Sequence, residues 1–508
     1  MASNYRKKFK KFFPLLALYA AICFNYSLLK ITKDPLVITA PGSGAEILPF
    51  IKVWVILPMA FGIMFIFTRL LNRFNQERVF YIMVSGFLIF FLIFCLVLYP
   101  LRDTIHPHAF ADHLETLLPA GFRGIIAIIR NWSYILFYAM SELWGTAIMN
   151  VIFWGLANEI TTLNTAKNIY GYLGVGANIA TILAGYIAVL FSTKRLNMFL
   201  PSNGDLWGHT LACVTITVIL IGILILVLFR WYYKHVLIKE HPLDQAYSSP
   251  TQKTKSSKMG TRKNLSYLFR SKYLLSIAVL VVSFNIAINM VEILWKAHIK
   301  LVYPNSVDFN AYMGKVQIAI GILSTFIGLF LCSNLIRRIG WTLSALITPL
   351  ALLITGLLFF TALLFKNHAA FVAWITLFHI TPNMLGVFFG TLLIVLSRAC
   401  KYTLFDTTKE ITLIPLSSES KFKGKAAIDG VGSRIGKSGG SLVYQALVMY
   451  CGTVSLSTPY VGIFLLFVVG GWVFSVQSLG KKFARLANDI PDKDSSSFEA
   501  PTLEPISK

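Results

Sequence analysis

Apolar residues fall along this chain in blocks of 18 or more, separated by short polar connections, and runs of that length read as helices crossing a bilayer. About twelve such blocks are centred near Tyr19, Pro58, Phe90, Phe137, Ala180, Leu220, Val282, Ile322, Leu352, Phe378, Val443 and Phe467. The stretch from Lys234 to Asn264 breaks the pattern with two prolines, many Ser, Thr and Gln, and seven Lys or Arg against two acids. It divides the blocks six and six. The pattern therefore predicts an all-α polytopic membrane protein of about 12 transmembrane helices in two six-helix bundles, the major-facilitator-like layout around a central site. The expected boundaries are a basic N-terminus over 1–11, a first bundle over 12–233, a linker over 234–270, a second bundle over 271–482 and a polar tail over 483–508.

Three ionisable residues interrupt the apolar blocks. Lys52 sits about one turn into the otherwise uncharged run from Ile47 to Thr68, and Glu142 and Glu292 are similarly placed in later blocks. A charged side chain at the middle of a membrane helix costs roughly 2.5 to 3.5 kcal/mol on insertion scales, so each should face protein or a water-filled cavity. Three of them point to a charged pathway.

Composition agrees with the pattern: 508 residues are 56% hydrophobic and 13% charged, with a formal net charge of +24. The excess is not a nucleic-acid signature. Its clusters fall on alternate connections: Arg6 to Lys11, Arg69/Arg73/Arg78, the central segment, Arg337/Arg338, the Arg398 to Lys425 connection, and Lys481/Lys482/Arg485. Lys and Arg mark cytoplasmic loops and attract anionic lipid, so both termini are expected in the cytoplasm. Lys33/Asp34, Arg102/Asp103/His106/His108, Lys194/Arg195 with Asp205, and Gly452 to Pro459 are then assigned to the opposite connections. Only about a dozen residues precede the first apolar block, with neither a cleavage site nor a transit peptide, which favours a bacterial inner membrane. Six cysteines are scattered singly and read as small core residues. Asn25-Tyr-Ser27 and Asn131-Trp-Ser133 match the glycosylation pattern by chance, inside apolar helices.

Spacing adds detail around the charges. Tyr134, Tyr138 and Glu142 share one helical face at four-residue steps. Asn289, Glu292, Lys296 and Lys300 form a stripe toward the exterior end of theirs, with Glu292 and Lys296 able to pair. The basic, glycine-rich segment Glu419 to Ser441 superficially resembles a phosphate-binding loop, but a Walker spacing would need glycine at Val431 and a preceding strand. Lys423, Lys425, Arg434 and Lys437 there remain candidates for phosphate oxygens without hydrolysis, topology alone being enough to explain the first two. No zinc spacing, nucleophile elbow or paired acids support an enzyme, and no metal or cofactor is expected.

Several longer motifs appear in order: Gly42-Ser-Gly-Ala-Glu-Ile-Leu-Pro-Phe-Ile-Lys52, Ser141-Glu-Leu-Trp-Gly145, Phe153 to Thr162, Val291-Glu-Ile-Leu-Trp-Lys296, Tyr402-Thr-Leu-Phe-Asp406, Lys423 to Asp429 and Ile435 to Gly440. Together they resemble the bacterial and plastid nucleotide transporters, the ATP/ADP translocases, across essentially the whole membrane domain. The resemblance implies exchange of external ATP for internal ADP by an intracellular bacterium, with Lys52, Glu142, Glu292 and Lys423 as the charged residues needed for transport. Departures are small: Ser141 stands where alanine is usual, and Asn164-Thr165 where an acidic pair is common.

The reading that follows has Lys52 and Lys423 gripping phosphates from the two bundles, with Tyr138 and Asn289 beside them. Glu142 and Glu292 are expected to hold those lysines when the site is empty, which would make binding a swap of salt-bridge partners; a protonated glutamate is the alternative. Phosphate co-transport is open, lipid is the surrounding partner and a monomer is expected. The rivals are a sibling carrying GTP, UTP, NAD or a broad set, with or without proton coupling, and an anion channel.

Overall fold

The computed structural model describes residues 2–160, 163–193, 205–237, 271–415, 428 and 432–488, and every regular element among them is helical. Eleven helices among the described residues are long and apolar enough to cross a membrane. In chain order they are α1 (Phe12–Ile38), α2 (Ile47–Arg73), α3 (Gln76–Leu98), α4 (Trp132–Ala157), α5 (Tyr172–Phe191), α6 (Leu206–Val236), α7 (Lys272–Val302), α8 (Ser306–Leu331), α9 (Asn334–Leu364) and α10 (Pro382–Thr412), with Val454–Arg485 as the last. Between α10 and that last helix, α12, lies the more polar α11 (Ser433–Cys451). Its glycines explain the difference in composition. A Cβ at Gly436 would come within 2.8 Å of the Asn285 side chain, and one at Gly440 within 3.2 Å of the Ile286 backbone, so α11 lies backbone-close on α7.

Two sequence expectations need correcting, and both concern where a helix ends. The tenth span is not centred near Phe378. A short helix, Ala369–Thr376, stops there, His379 takes a left-handed φ of 55°, and α10 starts afresh at Pro382, with Thr381 Oγ1 accepting from the Met384 N–H at 3.3 Å. Proline suits a first helical position because its missing N–H would be unpaired there anyway. The shift carries Arg398 into the span instead of into a cytoplasmic connection. At the other end of the chain, Lys33 and Asp34 lie inside α1, which continues through Leu36, Val37 and Ile38, all buried. They are interior residues, not members of an exterior loop.

In the first half α1 packs against α4, α5 and α6, and in the second half α7 packs against α10, α11 and α12. The halves meet chiefly along α5 and α8. A Cβ at Gly185 would stand 2.7 Å from the Gly314 carbonyl oxygen, and one at Gly314 2.9 Å from that of Gly185. At the end of the molecule where α1 and α7 finish, the halves touch again. Thr39 Oγ1 and Ser306 Oγ are 2.5 Å apart, Lys300 donates to the Ser43 carbonyl, and a Cβ on Gly121 would meet the Met449 backbone at 2.6 Å. Asn25 and Asn131, the two glycosylation look-alikes, are buried and donate to the Val218 and Pro41 carbonyls, each at 3.0 Å.

Candidate functional site

The polar stripe of α1 supplies the first part of the site. Tyr26, Lys30 and Lys33 recur at four- and three-residue steps and so share one helical face. Lys33 Nζ lies 2.8 Å from Glu142 Oε2 and 3.8 Å from the centroid of the Tyr138 ring. Tyr138 and Glu142, one turn apart on α4, thus hold the same ammonium from two sides. A cation over a ring face gains most when both are taken from water, and this lysine side chain is only 6% exposed.

The stripe of α7 supplies the second part. Lys296 Nζ donates to Glu292 Oε1 at 2.6 Å and to Asp34 Oδ2, across the halves, at 2.7 Å. Arg398 Nη2 on α10 takes the other Glu292 oxygen at 3.0 Å. Lys52 of α2 donates to Asn289 Oδ1, while Asn289 Nδ2 donates to Ser441 Oγ at 2.7 Å and to the Lys437 carbonyl at 3.1 Å. The chain of contacts therefore runs from α4 through α1 to α7 and α10, with a branch from α2 through α7 to α11. Breaking a buried ion pair by removing one partner is costly, which is why Lys296 and Asp34 are found together, at 1% and 2% side-chain exposure. Glu142, by contrast, is 30% exposed.

Backbone geometry marks the same places. Lys52 lies in the π-helical stretch Ile51–Ile56, another such stretch, Gly145–Phe153, opens just beyond Glu142, and a third, Lys401–Phe405, just beyond Arg398. A π-turn inserts one residue and rotates the helix face after it, a device that recurs at functional sites. On α10 it leaves Tyr402 46% exposed although Leu404 and Phe405 are buried.

Six of the sequence candidates are brought together: Lys52, Glu142, Glu292, Lys296, Tyr138 and Asn289. Lys437 contributes its carbonyl to the network, and its exposed side chain adds its charge to those acting on Glu142. Arg434 is not part of the cluster; its guanidinium lies 5.9 Å from the Phe61 ring. Lys423, Lys425 and the side chains of Asn164 and Thr165 fall outside the described residues. Tyr134, on the face shared with Tyr138, stacks on Tyr99 at 6.1 Å and meets His106 edge-on at 4.9 Å, beside the separate pair of Arg102 and Asp205. Burial holds His106, in the connection before α4, down to about 4, so it is a neutral ring set on Ser133 at 2.7 Å.

The expected pairing of the glutamates with Lys52 is not what the structure has. Glu142 holds Lys33, Glu292 holds Lys296 and Arg398, and Lys52 rests on a neutral amide. Among the described residues the hydrogen-bond partner of Lys52 is Asn289. Lys30, Lys33, Asp34 and Arg398 were missed. The signal for the first three was the apolar run Pro35 to Ile38, which extends the first helix past them. For Arg398 it was Pro382, a first-turn proline that begins the tenth span later than the hydrophobic maximum.

Counted together, Lys30, Lys33, Lys52, Lys296 and Arg398 face Asp34, Glu142 and Glu292, with Lys437 acting on the same group. The centre of the molecule carries a surplus of positive charge drawn from both halves. It is suited to a polyanion.

Comparisons with known proteins bear on which one. The chain is 42% identical over 475 residues to ADP,ATP carrier protein 1 of Chlamydia pneumoniae, covering 93% of this chain and 91% of that one. It is 41% identical over 480 residues to a chloroplastic ADP,ATP carrier protein 1 of Arabidopsis thaliana, covering 94% and 75%. Among solved structures it superposes on the nucleoside transporter NupG with a TM-score of 0.52 at 11% identity, over 92% of this chain and 99% of that one, a likeness of fold. Residues 3–483 match the family described as TLC ATP/ADP transporter. With two six-helix halves and a cationic centre between them, this chain belongs to the TLC ATP/ADP transporter family.

Proposed function

We propose that the protein exchanges external ATP for internal ADP across a bacterial inner membrane by alternating access, with the nucleotide phosphates held by cations of both halves. The observation that carries this reading is the surplus of cations over carboxylates at the meeting of the halves. Free ATP carries about four negative charges and ADP about three at neutral pH, since each added phosphate brings one strong acid and the terminal one a second, weaker acid. At about 4 Å and an effective dielectric of about 20, one opposite pair gains roughly 4 kcal/mol before desolvation. A span interior without those cations would reject either nucleotide.

Polar pairs that join the halves hold the empty carrier in one state. Asp34 with Lys296 and Lys52 with Asn289 tie the first half to the second. A phosphate chain that draws lysines away from these partners lowers the cost of parting the halves, whereas an empty site leaves them engaged. Crossing without substrate is then slow, which is the condition for strict exchange. On the positive-inside rule, the basic clusters of the sequence favour a cytoplasmic side for both termini. One chain supplies both halves of the site, so a monomer suffices.

The test is uptake of labelled ATP into proteoliposomes of the purified protein, loaded with ADP or empty. Uptake is expected only in the loaded vesicles and should saturate. Equal, non-saturating flux in empty vesicles would instead mean a channel, and competition by unlabelled GTP, UTP or NAD as strong as by ATP would assign a broader substrate set.

A further inference from the structure

The first helices of the two halves carry mirrored charges. On α1 Lys30 and Asp34 stand four residues apart; on α7 Glu292 and Lys296 do the same with the signs reversed. Each helix opens its half, so the two cross in the same direction, and residues four apart lie above one another on one face. Two rungs are available between them, Asp34 with Lys296 and Lys30 with Glu292. Only the first is made, at 2.7 Å. Glu292 turns its oxygens to Lys296 and Arg398 instead, at 2.6 and 3.0 Å.

Lys30 is left half-buried, with no carboxylate within 4.0 Å among the described residues, and the charges that act on it are those of Arg398, Tyr402, Glu292 and Glu142. It stands eight residues before Ile38, the last residue of α1, or about 12 Å along the helix, too far from that end for its head to escape to water there. An ammonium at that depth with no carboxylate beside it among the described residues faces a polar space and is open to an anion that enters it. Arg398 faces it from the other half, and a guanidinium can take two oxygens of one phosphate where an ammonium acts as a point charge. One turn beyond Arg398 the exposed Tyr402 borders the same space.

We propose that Lys30 and Arg398 form a two-sided seat for the phosphate chain, closed from one half by the ammonium and from the other by the guanidinium, with Glu292 as the counter-ion that Arg398 leaves when phosphate arrives. This rests on the ATP/ADP reading for its ligand and adds two residues to the family set. Glu292 keeps Lys296 after the exchange, so no carboxylate is stranded. Without nucleotide, Glu292 holds the arginine and the seat stays half-formed.

The experiment uses purified full-length protein in ADP-loaded proteoliposomes and in detergent. Lys30→Gln should raise the KM for ATP at least tenfold, and Lys30→Arg should return it to within about threefold of the wild type. In the wild-type protein, acylation of Lys30 by an amine-reactive label, read by mass spectrometry, should fall at least fivefold with ADP and with inorganic pyrophosphate but not with adenosine. An unchanged KM in Lys30→Gln, or labelling of Lys30 that pyrophosphate and ADP leave untouched, overturns the seat. Should wild-type vesicles fail to exchange ATP for ADP while pyrophosphate still protects Lys30, the transport reading falls and the phosphate seat stands.

Discussion

Lys52 and Lys33 show how differently two lysines can sit in one membrane interior. Lys33 is locked between the Glu142 carboxylate and the Tyr138 face, so removing it would strand an acid inside the bundle. Lys52 rests on the Asn289 amide, and that amide has Ser441 and the Lys437 carbonyl as further partners. Truncating Lys52 takes the donor from Asn289 Oδ1 but leaves both Nδ2 contacts in place, so it costs the fold less than stranding a carboxylate would, while it withdraws one cation from the site. Lys52→Ala is expected to abolish ATP uptake, by at least a factor of twenty, with unchanged protein abundance in the membrane. Uptake near the wild-type rate would remove Lys52 from the phosphate path. Sequence revealed Lys52 because nothing else charged lies near it along the chain. Lys33 was hidden by its neighbour Asp34, since an adjacent pair of opposite charges looks like a loop until the second half of the molecule provides Lys296 for the acid.

At the scale of helices, eleven of the twelve apolar centres fall inside a helix, the one near Phe378 being the exception, but the pattern did not give the helix ends, and the ends decided which charges were interior. Hydropathy is blind to the break at His379, and the block near Val443 gave α11 without the glycines that make its packing. The close contact of α5 with α8 is of the same glycine kind. A methyl group at Gly185 would collide with a backbone oxygen, which cannot swing aside as a side-chain tip can, so the two helices must separate. At Gly62 on α2 a Cβ meets nothing within 4 Å, and replacing glycine by alanine in a helix gains up to about 1 kcal/mol from propensity. Gly185→Ala should lower the melting temperature of the detergent-solubilised protein by several degrees and Gly62→Ala should leave it level or raise it. The reverse order would mean that the α5 and α8 backbones are not in contact in the folded protein.

For the whole molecule, the positions of the contacts between halves matter more than their number. Thr39 with Ser306, Lys300 with Ser43 and Gly121 with Met449 all lie at the end where α1, α7 and α11 finish, and the sequence reading assigns none of them a role between the halves. No pattern of apolar residues announces them, because they join parts of the chain more than 250 residues apart and exist only once both halves are folded. If the halves rock, these contacts must open once in every cycle to admit nucleotide from that side. The Thr39 and Ser306 oxygens are 2.5 Å apart, close enough that cysteines at both positions can be joined by oxidation. The doubly substituted protein should exchange ATP for ADP when reduced, lose exchange when oxidised, and regain it on adding a thiol reductant. A second arm separates closure from damage: oxidised protein in detergent should still bind ADP from the end away from Thr39 and Ser306, with its affinity within a few-fold of the reduced form. Exchange that continues at the full rate with the bond in place would show that the path does not pass between Thr39 and Ser306, and the rocking of two halves about a central phosphate site would have to be abandoned.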